Sequence, residues 1–194
     1  SVTFDDKNVY FTLTNGTVLI VPRGSENSST EENNPSDIIK FEDLNVKIAL
    51  LKMGGIDTND DSEISYEEAA NYNGKLSFST GNNDNPILSF KEFQYFTRVT
   101  SFSFGDLRNL YEIILPNTID TIKSHTFLRC YNLKKINFPD NLVCISSNAF
   151  MDCEKLDSIT LPSGIKSIET DAFEGCNNLD IVNIKMKNIE NYCN

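Results

Sequence analysis

The chain has 194 residues, 39% of them hydrophobic, and a net charge of −11, which bounds it to one or two modest folded units without a long disordered span. No apolar run approaches the roughly 18 residues of a membrane span, and so acidic a surface repels nucleic acid and anionic lipid while drawing divalent cations. The charge is uneven, with 8 basic and 16 acidic side chains in residues 1–104 against 9 and 12 in residues 105–194.

The chain does not open on a basic, apolar leader, so any signal sequence is expected to have been removed before Ser1. In residues 9–22, Val9, Phe11 and Leu13 alternate with Tyr10, Thr12 and Thr14 ahead of Asn15-Gly16. Asn-Gly supplies the positive φ angles of a two-residue type I′ turn, so residues 1–23 are predicted to form a β-hairpin, marginal on its own. Residues 24–37 hold no apolar side chain except Pro35. They cannot offset their ordering entropy by burial and read as a linker.

Residues 38–74 read as a helix-loop-helix module. Val46, Ala49, Leu50 and Met53 recur at helical spacing, and Gly54-Gly55 ends the helix predicted over 42–53 where a positive φ costs little. The acidic run that follows has the spacing of an EF-hand calcium loop. Asp57, Asn59 and Asp61 stand at loop positions 1, 3 and 5, Glu63 offers its carbonyl at 7, Ser65 sits at 9 and Glu68 closes at 12. Ca²⁺ takes six to eight oxygens at about 2.3–2.6 Å, and this spacing wraps one ion. Ile64 at position 8 is expected to point into the core. Ser62 replaces the usual glycine at position 6, at a cost on the order of 1 kcal/mol if left-handed, which would weaken binding toward roughly 10⁻⁴ M. No second loop of this pattern follows, and the run from Gly81 to Pro86 lacks a closing glutamate. The expected role of the ion is therefore structural. The competing reading is a solvated acidic turn that caps the helix starting near Ser65.

From residue 105 onward the chain repeats itself every 23 residues. Leu110, Leu133, Leu156 and Leu179 keep that step, as do Pro116, Pro139 and Pro162, Phe127, Phe150 and Phe173, and Ile122, Ile145 and Ile168. Apolar slots held while polar ones drift are the mark of a solenoid, here a β-rich one. Residues 112–116, 135–139, 158–162 and 181–185 are predicted strands, stacked in parallel at about 4.8 Å. A looser ladder follows through Ile119–Ile122 and its equivalents, before a helical or 3₁₀ turn carrying Phe127 and Cys130. Cys130, Cys153 and Cys176 share one slot and read as small buried residues, leaving Cys144 and Cys193 unassigned. Reading back by 23, Phe104, Val99 and Phe90 fill the places of Phe127, Ile122 and Ile113, so residues 75–104 are expected to be a degenerate unit and amino-terminal cap. At the far end Lys185 replaces the proline.

The outward side chains of these strands form two rows, Glu112, Lys135, Ser158, Ile181 and Ile114, Asn137, Thr160, Asn183. They are the candidate ligand-binding face, or else plain solvated sheet. Catalysis finds no support. His125, the only histidine, shares its slot with Asn148 and Asp171, and the equivalents of Cys130 have no histidine to activate them.

The pattern Asn-Leu-x-x-Ile-x-Phe-Pro-x-x-Leu-x-x-Ile-x-x-x-Ala-Phe-x-x-Cys, from Asn132 to Cys153 and again through Cys176, resembles the BspA-like leucine-rich repeats of bacterial surface proteins. Phe41–Ala70 ahead of Phe90–Thr97 is similar to the calcium-loop and cap arrangement of members from gut Bacteroidetes, and Val9–Pro22 resembles the short element after their lipoprotein leader. The resemblance implies a secreted or outer-surface protein, lipid-anchored upstream of Ser1, that adheres to a host protein, a bacterial surface or a glycan. It carries over no catalytic residues. A passive spacer displaying another domain is the alternative expectation.

Overall fold

The computed structural model describes residues 34–78 and 86–185, together with the backbone of three earlier strands, β1 (Val2–Phe4), β2 (Asn8–Thr12) and β3 (Val18–Pro22). The chain divides into two units, residues 1–34 and 35–194. In the first, the three strands form an antiparallel sheet in the order β1-β2-β3, one strand more than the predicted hairpin. Thr12 lies opposite Val18, whereas a two-residue turn on Asn15-Gly16 would set Thr12 against Leu19. The observed register opposes Val9 to Val21 and Phe11 to Leu19, and β1 adds Val2 opposite Phe11 and Phe4 opposite Val9. The turn itself lies outside the described residues.

The predicted linker ends earlier than residue 37. The carbonyls of Pro35 and Asp37 accept hydrogen bonds from the Glu67 and Tyr66 amides (2.8 and 3.0 Å), and Ile39 N–H donates to Ile64 O at 2.8 Å. Those amides open helix α2 (Tyr66–Asn71), where a first turn leaves N–H groups without intrahelical partners. The segment from Pro35 therefore belongs to the helical module. Its other helix, α1 (Leu44–Met53), starts at Asp43, which accepts from Asn45 N–H, and stops at Gly54, where φ is 71°. Val46 and Leu50 are buried. Asp43 also accepts from Leu88 N–H at 2.6 Å and the Glu92 carboxylate from Glu42 N–H at 2.9 Å, which ties the module to the cap.

The solenoid follows. Strand β4 (Leu76–Ser77) pairs with β6 (Phe102–Ser103), and β5 (Ser89–Phe90), β7 (Glu112–Ile114) and β9 (Lys135–Asn137) form one parallel ladder. A 3₁₀ helix, Lys91–Tyr95, follows β5. A second ladder joins β8 (Thr121–Ile122), β10 (Cys144–Ile145) and β12 (Ser167–Ile168), and β11 (Ser158–Leu161) pairs with β13 (Ile181–Ile184). From β7 on, partners are 23 residues apart, as with Ile113↔Ile136 and Ile159↔Val182. Phe90↔Ile113 extends that register into the cap, as the backward reading predicts.

On the third side each turn closes through tight turns rather than a helix. His125, Asn148 and Asp171 occupy one left-handed slot (φ 57–61°), and Asp106, Arg129, Asp152 and Gly175 another. Asn, Asp and His tolerate that region better than most residues. At Gly175 (φ 74°) a Cβ would meet the Asp152 carboxylate and crowd its backbone, so a larger residue there would have to displace that side chain. Between the two slots the Phe127 amide donates to Ala149 O and the Phe150 amide to Ala172 O, both at 2.8 Å.

Inside, the Phe127 and Phe150 rings stack at 5.0 Å and 11°, and Phe150 and Phe173 at 5.1 Å and 5°. Phe104 begins the column 5.9 Å from Phe127. In the cap it meets Phe78, Phe90 and Phe93 at 5.3–5.9 Å, so an aromatic cluster seals the first turn. The cysteine slot does more than fill space. Sγ of Cys130, Cys153 and Cys176 lies 3.1–3.2 Å from the carbonyls of Phe104, Phe127 and Phe150, so each thiol donates a weak hydrogen bond to the turn before it. All three are free thiols. At the far end Val182 and Ile184 are exposed by 54% and 59%, where their equivalents Ile159 and Leu161 are at 3%.

Phe150 has a ring on either side and is fully buried. Phe150→Ala is expected to cost about 3–5 kcal/mol, measured by urea denaturation, and Phe173→Ala less. Equal losses at the two positions would contradict the stacked column.

Candidate functional site

The acidic loop is built from local hydrogen bonds. The Asp57 carboxylate accepts from the amides of Asp61 (3.3 Å) and Ser62 (2.9 Å), Asn59 Oδ1 from Asp61 N–H (3.1 Å) and Asp61 Oδ1 from Glu63 N–H (2.8 Å). Asp60 and Ser62 are left-handed at φ 58° and 64°. Ser62 thus adopts the conformation that position 6 demands without glycine's freedom. Ile64 is fully buried, as its place at position 8 predicts.

Ser65 caps α2 and forms a capping box with Glu68. Glu68 Oε2 accepts from Ser65 N–H and Oγ (both 2.9 Å), and Oε1 from Thr58 N–H (2.8 Å) and Oγ1 (3.0 Å). These four bonds use the usual capacity of a carboxylate. The Glu63 side chain turns away to Lys47 at 2.6 Å, which leaves its carbonyl as the loop's donor at position 7. Among the described residues no three His, Cys, Asp or Glu side chains converge on one point, because the loop's carboxylates face its own amides. The donor set of Asp57, Asn59, Asp61, Glu63, Ser65 and Glu68 is all hard oxygen and suits calcium chemically. A bidentate grip by Glu68 requires the Thr58 and Ser65 hydroxyls to rotate away.

Burial works to raise the Glu68 pKa, and the bonds from Ser65 and Thr58 overcome it, so the carboxyl sits below its ordinary value of 4.5. A depressed carboxylate contributes stability fully above its unfolded value and loses it as pH falls through the folded one. Wild type is therefore expected to exceed Glu68→Gln in stability by about 1–3 kcal/mol near pH 7, the gap closing below pH 4.5. Thermal unfolding across pH measures this, and a pH-independent gap would refute it.

The strand face shows a second feature. Register places Glu112 beside Lys135, Ile114 beside Asn137, Ser158 beside Ile181 and Thr160 beside Asn183. Six of these eight candidates, Glu112, Ile114, Lys135, Asn137, Ser158 and Thr160, line one depression of about 470 Å³. Ile181 and Asn183 do not. Lys134 and Lys185 join the lining, and neither was among the predicted site residues. Lys185 was noticeable as a lysine in a proline slot, but nothing local to Lys134 marks it.

The depression lies where the sheet opens. β9 pairs with β7 and β11 with β13, but the successive turns β9 and β11 share no ladder. At neighbouring rungs one carbonyl takes two amides: Leu88 O from Tyr111 and Glu112, Tyr111 O from Lys134 and Lys135, Asp157 O from Asp180 and Ile181. The corresponding pair on Lys134 O is absent among the described residues. The turn feeding β11 departs in sequence as well. Asn132 and Asn178 donate their side-chain amides to Arg108 O and Glu154 O, whereas Lys155 fills that slot and uses its backbone N–H on Tyr131 O at 3.1 Å.

The charges around the opening are mixed. Lys134 pairs with Asp157 at 3.1 Å and Lys185 with Asp140 at 2.8 Å, in exposed bridges. Glu112 is engaged by Lys91 at 3.3 Å. Lys135 lies over the Tyr111 ring, Nζ 5.6 Å from its centroid, and has no carboxylate partner among the described residues. Nothing here forms a nucleophile and base. His125 is an exposed left-handed turn residue, and burial pushes the Cys130 thiol up to about 12.

With repeat length, register and slot chemistry in place, comparison with known proteins decides the family. The profile of the BspA-type leucine-rich repeat region matches residues 82–194 in six copies, more than half of the chain. The chain belongs to the BspA-type leucine-rich repeat family. Among solved structures, this leucine-rich repeat chain is similar to a leucine-rich cell surface protein from Faecalibacterium prausnitzii, with 17% identity and a TM-score of 0.44 over 96% of this chain and 40% of that one. It is also similar to a leucine-rich repeat protein from Bacteroides ovatus (22%, 0.39, 93% and 40%) and to the T. pallidum leucine-rich repeat protein TpLRR (22%, 0.39, 56% and 68%). The chain thus spans about 40% of the F. prausnitzii and B. ovatus proteins. No curated protein matches it. No helix among the described residues is long and apolar enough to cross a membrane.

Proposed function

We propose that this chain is a binding module exposed at an outer cell surface, which holds its ligand on the strand face, at the depression between β9 and β11. The observation that carries this reading is the opened rung. A regular solenoid sheet presents small outward side chains over a continuous ladder and offers a ligand little relief. Here two successive strands of one turn-on-turn stack leave their facing edges without a ladder, and six outward side chains surround the resulting hollow. Its volume falls within the roughly 300–1,000 Å³ of small-ligand sites.

The test is capture of the full chain on arrays of host matrix proteins, bacterial surface polymers and glycans. Thr160→Arg, an exposed substitution that fills the hollow, is expected to abolish capture with Tm unchanged. Capture that survives Thr160→Arg overturns the assigned face, and no capture across the panel favours a passive spacer.

The loop is proposed to hold one Ca²⁺ through Asp57, Asn59, Asp61, the Glu63 carbonyl, Ser65 and Glu68. Bound there, the ion would neutralise the clustered carboxylates and brace the loop between α1 and α2. The chain's own residues supply the rest: Ser65 and Glu68 set the start of α2, and Ile64 anchors the loop to the core. With a Kd near 10⁻⁴ M, 10 mM calcium would add about 2.7 kcal/mol of stability. Tm is expected to rise with calcium in wild type and not in Asp57→Asn, whose amide oxygen can still accept one of the two loop N–H groups that Asp57 holds. A Tm that ignores 10 mM calcium refutes the site.

A further inference from the structure

The chemistry around the opened rung narrows the ligand class. Three lysines, Lys134, Lys135 and Lys185, face the hollow, while the one lining carboxylate, Glu112, is already paired with Lys91. Asp157 and Asp140, the partners of Lys134 and Lys185, are not in the lining. They hold those lysines from outside it, in exposed pairs that cost little to rearrange. Lys135 makes no salt bridge among the described residues and rests on an aromatic ring, its charge felt at the Glu42 carboxylate. On a chain of net charge −11, the lining itself carries three lysines against one carboxylate, and it favours a negatively charged occupant once the exposed pairs rearrange.

The remaining lining is neutral, with Ile113, Ile114, Ile136 and Phe138 beside three hydrogen-bonding side chains, Asn137, Ser158 and Thr160. Thr160 brings a hydroxyl, Ser158 one that donates to Asp157 at 3.0 Å and can still accept, and Asn137, whose Oδ1 is committed to Leu115 N–H at 2.6 Å, keeps its amide N–H donors for a ligand oxygen. The facing backbone of β9 and β11 adds donors and acceptors without ladder partners. An acidic peptide fits this poorly. Strand addition draws its specificity from pockets for alternate side chains, and of the outward lining side chains only Ile114 offers an apolar contact. Hydroxyl-rich, compact and anionic describes a saccharide bearing a carboxylate.

Resting on the strand-face reading above, we propose that the hollow between β9 and β11 binds a carboxylated saccharide. Lys135, helped by Lys134 and Lys185, meets the carboxylate, and Asn137, Ser158 and Thr160 meet the ring hydroxyls. Uronic acids and sialic acids share this chemistry.

Titration calorimetry of the full chain distinguishes the possibilities, using a galacturonate oligomer, sialyllactose, neutral lactose and poly-glutamate as probes. Binding of one or both carboxylated saccharides is expected, with lactose at least tenfold weaker. Which of the two binds tells a uronate ligand from a sialate. Lys135→Met, at an exposed position, should weaken binding at least tenfold with Tm unchanged, and raising salt from 50 to 500 mM should weaken it further. If lactose binds equally and Thr160→Arg removes it, the charge assignment falls and the strand face stands. If a carboxylated saccharide binds regardless of both substitutions, site and inference fall together. Lys135-dependent binding of poly-glutamate in place of saccharide overturns the ligand class, and binding of no probe overturns the inference, leaving the array result to judge the face.

Discussion

The fold depends on one repeated contact, a phenylalanine ring lying flat on its equivalent one turn away. Phe127, Phe150 and Phe173 stack within 11° of parallel at about 5 Å, close to the spacing of adjacent strands. That match lets the aromatic column and the β-ladders keep the same step. Once the rings set it, the rest of each turn falls into place: amides around each phenylalanine bond to the next turn, and each ladder cysteine donates to the phenylalanine carbonyl of the turn before. Left-handed turn residues such as His125, Asn148 and Asp171 carry a small conformational cost, which burial of a ring per turn outweighs.

A column of this kind needs an end that water can meet. At the amino-terminal side the cap gives up regular stacking for a cluster of phenylalanines meeting at varied angles, and the helical module covers it. Asp43 serves two masters there, capping α1 and accepting from the Leu88 amide. Glu68 does the same for the acidic loop, joining Thr58 at its beginning to Ser65 at its end. A cation, where one binds, would reinforce a loop whose hydrogen bonds already draw it closed.

Function in such an array resides in departures from the repeat, since whatever is common to all turns serves stacking. The β9–β11 rung is the clearest departure. It coincides with Lys155 in an asparagine slot, with the absence, among the described residues, of a pair of amides on Lys134 O, and with lysines gathered from two turns. Lys185 reaches Asp140 across 45 residues of sequence, so the border of the hollow is assembled from distant turns.

Much of this was legible from residue spacing. The 23-residue step determined the parallel register, the inward slots, the degenerate cap at Phe90 and Phe104 and the free, buried cysteines, because every turn stacks on a copy of itself and one spacing therefore governs them all. Loop spacing likewise placed Ile64 in the core and Ser62 in a left-handed turn. Other features were beyond it. The first three strands pair in a register other than the one a two-residue turn on Asn15-Gly16 predicts, and Pro35 and Asp37 were drawn out of the expected linker by the unpaired amides of α2. Both outward rows could be written down from the sequence, but not which of their members would share a hollow. Only the tertiary structure decided that, because whether two turns close their ladder depends on hydrogen bonds and side chains that meet across turns, where sequence periodicity is silent.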